Sequence, residues 1–198
     1  MKSILIINGS ISGDKGNCAK LIEQIQKHIS NAYAIEILTL STTTNKKTVE
    51  KKLSKASAFI FTTGTYWDSW GSPLQKFLED YTDLEGTPLF MGKPCAVFVL
   101  NHSVGGKSVL SRLQGVLSTF GCVIPPMSGM VYSLVNDLVI KKTNSVHADD
   151  LWSLNDIAVV IANLQLAINT EIKWQSWAVD RKNFRKIWIN EKSKDKKY

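Results

Sequence analysis

The chain has 198 residues, enough for one well-packed α/β domain and short for two. Its hydrophobic fraction of 44% is ordinary for a soluble globular protein, and no apolar run is long enough to span a bilayer. The net charge of +7 is concentrated in residues 181–198, which hold eight Lys or Arg and two acids (+6), so the remaining residues carry about +1. We therefore expect a near-neutral domain with a basic C-terminal extension.

Two features favour a reducing, cytoplasmic location. The apolar segment Ile4–Ile7 is too short for the core of a signal peptide, and a polar turn follows it where a cleavage site would stand. The three cysteines, Cys18, Cys95 and Cys122, lack metal-ligand spacing and cannot all pair. We expect Cys95 and Cys122 to be small core residues, and Cys18 to pack or donate a hydrogen bond rather than react.

The first candidate functional segment covers residues 2–17. Residues 2–8 have the length and the lack of alternation that are typical of a strand buried on both faces. Residues 9–17, Gly-Ser-Ile-Ser-Gly-Asp-Lys-Gly-Asn, form a turn rich in glycine and hydroxyl groups, after which a helical pattern begins. This arrangement predicts a phosphate site, because the first free N–H groups of a helix and its dipole favour an anion.

The kind of phosphate follows from what the turn lacks. Asn17 follows Gly16 where a P-loop has lysine, and Ile11 stands where the dinucleotide fingerprint has its second glycine. The turn suits a phosphate monoester, for which FMN is the natural candidate, with the hydroxyls of Ser10 and Ser12 as donors. The alternative is a plain strand-to-helix connection made of turn-forming residues.

The next elements alternate between helix and strand. The helix that starts after Asn17 is predicted to continue through Ser30, and a second strand is predicted at residues 33–40. A short helix at 46–55, capped by Thr44 or Asn45, precedes a third strand at 57–62. Alternation without internal repeats predicts a parallel, doubly wound sheet.

The third strand leads into an aromatic loop. Residues 63–71 contain Tyr66, Trp67 and Trp70, and Ser72 before a proline predicts the cap of the next helix. Large rings in a loop need a surface to cover, and ligands of open α/β sheets bind at the carboxyl ends of strands. We expect these rings to flank a planar ligand or to form a dimer contact; the alternative is that they pack on their own loop.

A fourth, wholly apolar strand at residues 94–100 ends in a second glycine-rich turn. Residues 101–108, Asn-His-Ser-Val-Gly-Gly-Lys-Ser, end like a P-loop, but Asn101 stands where that motif begins with glycine. The backbone amides of such a turn suit the polar edge of a flat heterocycle better than a nucleoside triphosphate. His102 is a candidate hydrogen-bond partner there, or else a structural histidine.

The following elements have weaker patterns. Gly121 is predicted to end the fourth helix, and residues 122–126 to start a short fifth strand. Residues 128–140 are ambiguous between a hairpin and an extension. A last helix, capped by Asp149 or Asp150, is predicted to run through residues 151–168.

The segment after residue 173 combines aromatic and basic side chains. Trp174, Trp177, Phe184 and Trp188 stand among lysines and arginines, and the end of the chain is expected to be disordered. Such a segment could stack nucleobases. The aromatic spacing suits one helix face, and we prefer a contact that pins the tail onto a sister subunit.

The three loops together resemble the flavodoxin-like family of NAD(P)H-dependent FMN reductases and quinone reductases. The matching pieces are Gly-Ser-Ile-Ser-x-x-x-Gly-Asn at 9–17, Thr-x-Thr-Tyr-Trp with a later Ser-Pro-Leu at 63–74, and Asn-His-Ser-Val-Gly-Gly at 101–106. The resemblance covers about residues 2–170. It implies an α/β fold with a doubly wound five-stranded parallel sheet of order 2-1-3-4-5 and helices on both faces. Residues 1–172 would then form the FMN-binding domain, and residues 173–198 a basic, Trp-containing extension that is partly disordered.

The resemblance also implies the binding residues. In the family the first loop holds the FMN phosphate, the second covers the isoalloxazine ring and ribityl chain, and the third meets the pyrimidine edge. Cys18 stands where the family usually has Thr or Ser, and Gly64 where many members have proline. The residues implicated are Ser10, Ser12, Asn17 and Cys18 in the first loop, Gly64, Thr65, Tyr66 and Trp67 in the second, and His102, Ser103, Gly105 and Gly106 in the third.

The implied activity is that of an FMN-dependent oxidoreductase in which NAD(P)H is the co-substrate and a quinone or other small molecule is the acceptor. No Ser-His-Asp set, paired carboxylates or metal ligands emerge from the sequence, and hydride transfer through a flavin needs no protein nucleophile. The resemblance also implies a homodimer with residues of both subunits near the flavin.

Two alternative functions stay open. One is a flavodoxin-type electron-transfer protein that binds FMN but has no substrate chemistry of its own. The other is a regulatory or nucleic-acid-binding protein that has lost the flavin, although the near-neutral body argues against nucleic acid as a partner.

Overall fold

Five parallel strands form the centre of the protein, whose computed structural model describes residues 1–43, 45–142 and 151–179. The strands pair in the order β2-β1-β3-β4-β5, which confirms the predicted flavodoxin-like order 2-1-3-4-5. Their bounds are β1 Ser3–Asn8, β2 Ala34–Thr39, β3 Ala58–Gly64, β4 Cys95–Asn101 and β5 Gly129–Ser133.

Helices cover both faces of this sheet. One apolar cluster joins it to α2, α3 and α4, and a second joins the opposite face to α1 and α6. Within the described residues, no helix is both long enough and apolar enough to cross a membrane. The helix bounds are α1 Asn17–His28, α2 Lys46–Lys55, α3 Ser72–Asp80, α4 Gly106–Phe120, α5 Leu134–Lys142 and α6 Ile157–Ile168.

The central strands β1 and β3 contain unbroken apolar runs, which suit burial in the middle of the sheet. Ile4–Ile7 of β1 and Phe59–Phe61 of β3 are essentially inaccessible to solvent, because each strand has a neighbour on both sides and helices above and below. A strand buried on both faces needs no polar alternation. The edge strand β2 differs, since its Ile37 remains 40% exposed.

The fifth strand lies further along the chain than the sequence pattern predicted. Residues 122–126 form only a single bridge, between Pro94 and Val123, and β5 begins at residue 129. Pro125 and Pro126 lack the N–H groups that a sheet ladder requires, so regular pairing with β4 resumes only after them. The ambiguous residues 128–140 hold β5 and most of α5.

Helix starts agree with the sequence in one case and differ in another. The side chain of Asn45 caps α2 by accepting a hydrogen bond from the backbone N–H of Thr48 at 3.1 Å, as predicted. The other candidate, Thr44, lies outside the described residues. For α3 the cap position belongs to Gly71 rather than Ser72, and the Gly71 N–H donates to Thr63 Oγ1 at 3.0 Å.

The last helix is shorter than predicted. Residues 154–156 form a 3-10 turn, and α6 begins only at Ile157. Ser153 starts the turn with a reciprocal cap, in which Asp156 Oδ2 accepts from the Ser153 N–H at 2.6 Å and Ser153 Oγ accepts from the Asn155 N–H at 3.2 Å. The predicted caps Asp149 and Asp150 lie outside the described residues.

The described part of the C-terminal tail lies against the domain itself. The Trp177 Nε1–H donates to Glu85 Oε1 at 2.8 Å, and the Trp174 ring lies against Gly92. Residues 170–179 are neither helix nor strand, so the helix face expected for Trp174 and Trp177 is wrong for this part. Phe184 and Trp188 lie outside the described residues. The domain division at residue 172 stays a prediction.

Lys93 is a partly buried cation just before β4. Its Nζ donates to the Leu53 carbonyl at 2.7 Å and lies 5.5 Å from the centre of the Phe59 ring. Burial lowers the pKa of Lys93 from 10.5 to about 8, because desolvation disfavours the ammonium form. Between these two pKa values the unfolded chain binds more protons than the folded one, so stability from this group rises with pH.

We expect Lys93→Met to remove this pH dependence. Relative to wild type, the free energy of unfolding of the variant should be highest near pH 7, where the buried ammonium destabilises the wild-type protein. Its relative advantage should shrink by about 1 kcal/mol as the pH rises to about 9.5, after allowance for the partial exposure of the ammonium. Urea unfolding at several pH values measures this difference. The exposed Lys51→Met is the matched control and should give a constant difference; the same constancy for Lys93→Met would show that the cation carries no burial penalty.

Candidate functional site

A cavity of about 490 Å³ opens at the carboxyl edge of the sheet. Its walls come from the loops that follow β1, β3 and β4, because the carboxyl ends of parallel strands meet at one edge. These are the three loops that the sequence singled out.

Eight of the twelve predicted binding residues line this cavity, and four lie on the same loops outside its wall. The lining residues are Ser10, Ser12, Asn17 and Cys18 from the first loop, Gly64, Thr65 and Tyr66 from the second, and His102 from the third. The residues outside the wall are Trp67, Ser103, Gly105 and Gly106. The binding roles of all twelve stay predictions.

Asn8 shapes the first loop from the end of β1. Its buried side chain donates from Nδ2 to the Gly13 carbonyl at 3.1 Å and accepts at Oδ1 from the Ser10 N–H at 3.2 Å. Both ends of the turn are thereby tied to one side chain. The sequence pattern predicts Asn8 only as the last residue of a strand, and its need for hydrogen-bond partners follows from its burial in the structure.

Three buried polar atoms in the cavity wall have no hydrogen-bond partner among the described residues. They are Ser10 Oγ, Thr65 Oγ1 and Asn101 Oδ1, one from each loop. A buried polar group left without a partner costs about 1–3 kcal/mol, and three such atoms around one cavity make it a place where a bound molecule can supply the missing bonds. The set fits FMN, which carries phosphate and hydroxyl oxygens at one end and a polar heterocycle at the other.

Cys18 is an uncharged thiol beside the first loop. Burial raises the pKa of Cys18 to about 11, and the neighbouring Ser10 hydroxyl opposes this only partly. The two groups are close, yet they do not reach full hydrogen-bond geometry, which leaves Ser10 Oγ available. A neutral thiol can donate weakly without repelling an anion, which agrees with a packing or donating role.

Tyr66 is folded back over the end of β3. Its ring and hydroxyl lie 3.1–3.3 Å from the point where a Cβ on Gly64 would stand, so the ring uses the space that this glycine leaves. Burial raises the pKa of the Tyr66 phenol, while a hydrogen bond from the backbone of Ile11 favours the ionised form. The tyrosine therefore bridges the first and second loops.

The second loop ends in a tight hairpin with Trp67 at its tip. The Tyr66 N–H donates to the Ser69 carbonyl at 2.8 Å, and the Ser69 N–H donates back at 3.0 Å. Trp67 and Asp68 have φ values of 47° and 55°, the left-handed conformation of a type I′ turn that bulky residues rarely adopt. This turn leaves the Trp67 side chain wholly exposed, beside the cavity and not within it.

Contacts with the third loop hold this strained hairpin in place. The Asp68 carboxylate lies against Gly105, and the Asp68 carbonyl accepts a hydrogen bond from Arg112 of α4. Gly105 has φ 85° at the start of α4, a left-handed conformation suited to glycine. The second and third loops are therefore built as one unit.

Several lining residues were missed by the sequence analysis. Lys20, Leu21 and Gln24 follow Asn17 at helical spacing on α1, and that spacing could have identified them. Tyr132 and Leu134 could not be found while the fifth strand was placed too early. The pKa of Tyr132 is raised to about 12, so its phenol stays protonated. Burial is the largest cause, and Asp137 adds to it through a hydrogen bond and through its negative charge.

Metal-ligating side chains are not clustered in the described part of the chain. No three His, Cys, Asp or Glu side chains there are grouped as a metal site would require.

Several solved structures share this fold. The chain is similar to the apo form of the NADH:FMN oxidoreductase EmoB, at 17% identity and a TM-score of 0.68, over 86% of this chain and 92% of that one. It is also similar to an oxidoreductase from Corynebacterium diphtheriae, at 15% identity and a TM-score of 0.66, over 85% of this chain and 97% of that one. The flavoenzyme NAD(P)H:(acceptor) oxidoreductase FerB from Paracoccus denitrificans is similar at 18% identity and a TM-score of 0.60, over 85% of this chain and 96% of that one. At these identities the likeness shows the fold alone.

Sequence comparison gives the family. No curated protein sequence matches the chain. Residues 2–134, about two thirds of its length, match the family described as NADPH-dependent FMN reductase. This match spans all three loops of the cavity, and the chain belongs to the NADPH-dependent FMN reductase family.

Proposed function

We propose that this protein is an NAD(P)H oxidoreductase that uses FMN to pass hydride to a quinone-like or other small acceptor. The observation that carries the proposal is the convergence of Ser10 Oγ, Thr65 Oγ1 and Asn101 Oδ1 on one cavity, in a chain of an FMN reductase family. When bound, FMN supplies the hydride chemistry.

The first loop would hold the phosphate. The hydroxyls of Ser10 and Ser12 can donate to phosphate oxygens, and the amino end of α1 favours an anion through its free N–H groups and dipole. Residues 17–20, the first turn of that helix, include the cation Lys20 and no acid, so nothing in this turn repels a dianion. Asn8 keeps the turn in this form.

The second and third loops would hold the ring system. Thr65 Oγ1 can donate or accept, whereas Asn101 Oδ1 can only accept, and the ring N–H of a flavin pyrimidine is the donor it requires. The amino end of α4 starts at Gly105 and Gly106, beside Asn101, and its dipole would favour negative charge on a pyrimidine edge held there.

Ser10→Ala tests the cavity as the flavin site. We expect the dissociation constant for FMN to rise about 10- to 100-fold, since a hydrogen bond to a charged group is lost. The melting temperature of the apoprotein should stay the same or rise, because the variant removes a buried hydroxyl that lacks a partner. Quenching of FMN fluorescence and thermal unfolding measure the two effects.

Ser128→Ala is the matched control for this test. Ser128 Oγ is likewise buried without a partner among the described residues, but it lies outside the cavity wall. Its loss should affect apoprotein stability in the same way and leave FMN affinity unchanged. Equal FMN affinity for both variants and wild type would contradict the assignment of the cavity.

A flavodoxin-type carrier is the main alternative function, since it would need the same FMN cavity. Steady-state oxidation of NADPH, and separately of NADH, with a soluble quinone separates the two. We expect FMN-loaded protein to turn over with at least one nicotinamide, and Ser10→Ala to need more added FMN for the same rate. Tight FMN binding with negligible turnover would favour the carrier.

We further propose that the protein works as a homodimer joined at the carboxyl edge. Each of the three loops there exposes one large apolar side chain: Ile11 is 50% exposed, Trp67 102% and Val104 76%. Buried aromatic anchors dominate many protein interfaces, and Trp67 has little to cover within its own subunit. A partner on this edge would also shield the cavity.

Trp67→Ala tests this contact. We expect dimer dissociation to become about 30-fold easier or more, as is usual for loss of a central tryptophan anchor, with a shift toward monomer in sedimentation experiments. Leu166→Ala, which shortens an exposed apolar side chain on α6, is the control and should leave the distribution unchanged. Dissociation by Trp177→Ala instead would place the contact on the C-terminal tail.

A further inference from the structure

The helix after β5 exposes an apolar surface. Leu134 and Leu138 form one row of i, i+4 neighbours on α5, and Val135 and Val139 form a second row beside it. Their exposed fractions are 44%, 45%, 37% and 44% in the same order. We name these four side chains the α5 stripe.

The α5 stripe is continuous with the cavity. Leu134 belongs both to the stripe and to the cavity wall, and Leu154 is a further apolar residue of that wall. The stripe therefore starts at the cavity and extends away from it along the helix.

The start of α5 is anchored to the third loop. The Val135 N–H donates to the His102 carbonyl at 3.0 Å, and Ser133 Oγ donates to the same oxygen at 3.5 Å. Ser133 Oγ also accepts from the Asn136 N–H at 3.4 Å, as a helix cap does. Because His102 follows Asn101 directly, these bonds fix the stripe relative to the ring end of the cavity.

The size of the stripe suits a flexible chain better than a second protein. The exposed area of four side chains at these fractions is on the order of 300 Å², far below the roughly 800 Å² that each partner buries in a stable dimer. A single alkyl or isoprenoid chain can cover such a strip. Asn136 and Asp137 lie off the two rows, and the exposed Lys142 ends the row of Leu134 and Leu138 at the far end of the helix.

We propose that the α5 stripe binds the apolar tail of the electron acceptor, and that the acceptor is an amphiphilic quinone with a long hydrocarbon tail. This inference rests on the proposed function and names the substrate class of the same site. The quinone head would meet the bound flavin at the mouth of the cavity, and the tail lies along α5. In the net reaction NAD(P)H gives up a hydride and water a proton, the quinone takes up both to become the hydroquinone, and the tail takes no part in bond making.

The test compares two quinones that share one head group, one with a methyl and one with a decyl substituent, below the micelle concentration of the latter. Each buried methylene strengthens binding about fourfold, so even three covered methylenes give wild-type enzyme a decyl-to-methyl ratio of kcat/KM above about 30. We expect the gain to lie in KM.

The double variant Leu138→Ser/Val139→Ser should reduce this ratio at least about fivefold, because two of the four apolar contacts become polar. Leu166→Ser, at the exposed apolar position on α6, is the matched control and should keep the wild-type ratio. Should the double variant not fold, as judged by FMN retention and melting temperature, Leu138→Ala gives a smaller fall in the same ratio.

Two outcomes overturn the inference while leaving the proposed function intact. One is a wild-type ratio near 1 with FMN bound and normal turnover of the methyl quinone. The other is a sedimentation shift from dimer to monomer in the double variant, which would mean that a second copy of the chain covers the stripe. Failure to bind FMN, or failure to reduce either quinone, would instead overturn the proposed function itself.

Discussion

The site depends on one topological constraint, the reversal of strand order between β1 and β3. After β1 the chain crosses to one face through α1 and returns to β2, and after β3 it crosses to the other face through α3 to reach β4. Two loops that leave adjacent strands in opposite directions must part, and a crevice remains between them at the carboxyl edge. The cavity lies in this crevice, and side chains from the β4 loop, β5 and the start of α5 complete its walls.

Much of this arrangement could be predicted from the sequence, because its signals are local. Apolar runs mark β1, β3 and β4, small or polar residues mark the loops after β1 and β4, and a group of aromatic residues marks the loop after β3. The position of β5 could not be predicted from an apolar pattern alone, since Cys122–Ile124 are as apolar as a strand and only pairing geometry shows that the prolines delay the ladder. The misplaced strand hid Tyr132 and Leu134 from the candidate site.

Residues that depend on three-dimensional packing were also beyond the sequence. The aromatic character of Trp67 is plain in the sequence, but its exposure follows from a left-handed turn whose Asp68 is contacted by Gly105 of the third loop and Arg112 of α4. Conversely, Asn8 contributes through two hydrogen bonds to backbone atoms, which no spacing motif encodes. Buried polar atoms without partners are visible only once burial is known, and they were the sharpest guide to the cavity.

The packing of Tyr66 over Gly64 limits which residues can replace Gly64 in this loop. Proline, which many family members have at this position, would bring ring carbons into space that the tyrosine ring already fills, since even a Cβ would stand 3.1 Å from it. Exchange of the single residue therefore requires the aromatic ring, which is linked to the first loop, to shift by at least a few tenths of an ångström. The two positions form one module, so that chimaeras with relatives should exchange the whole segment from strand end to helix start.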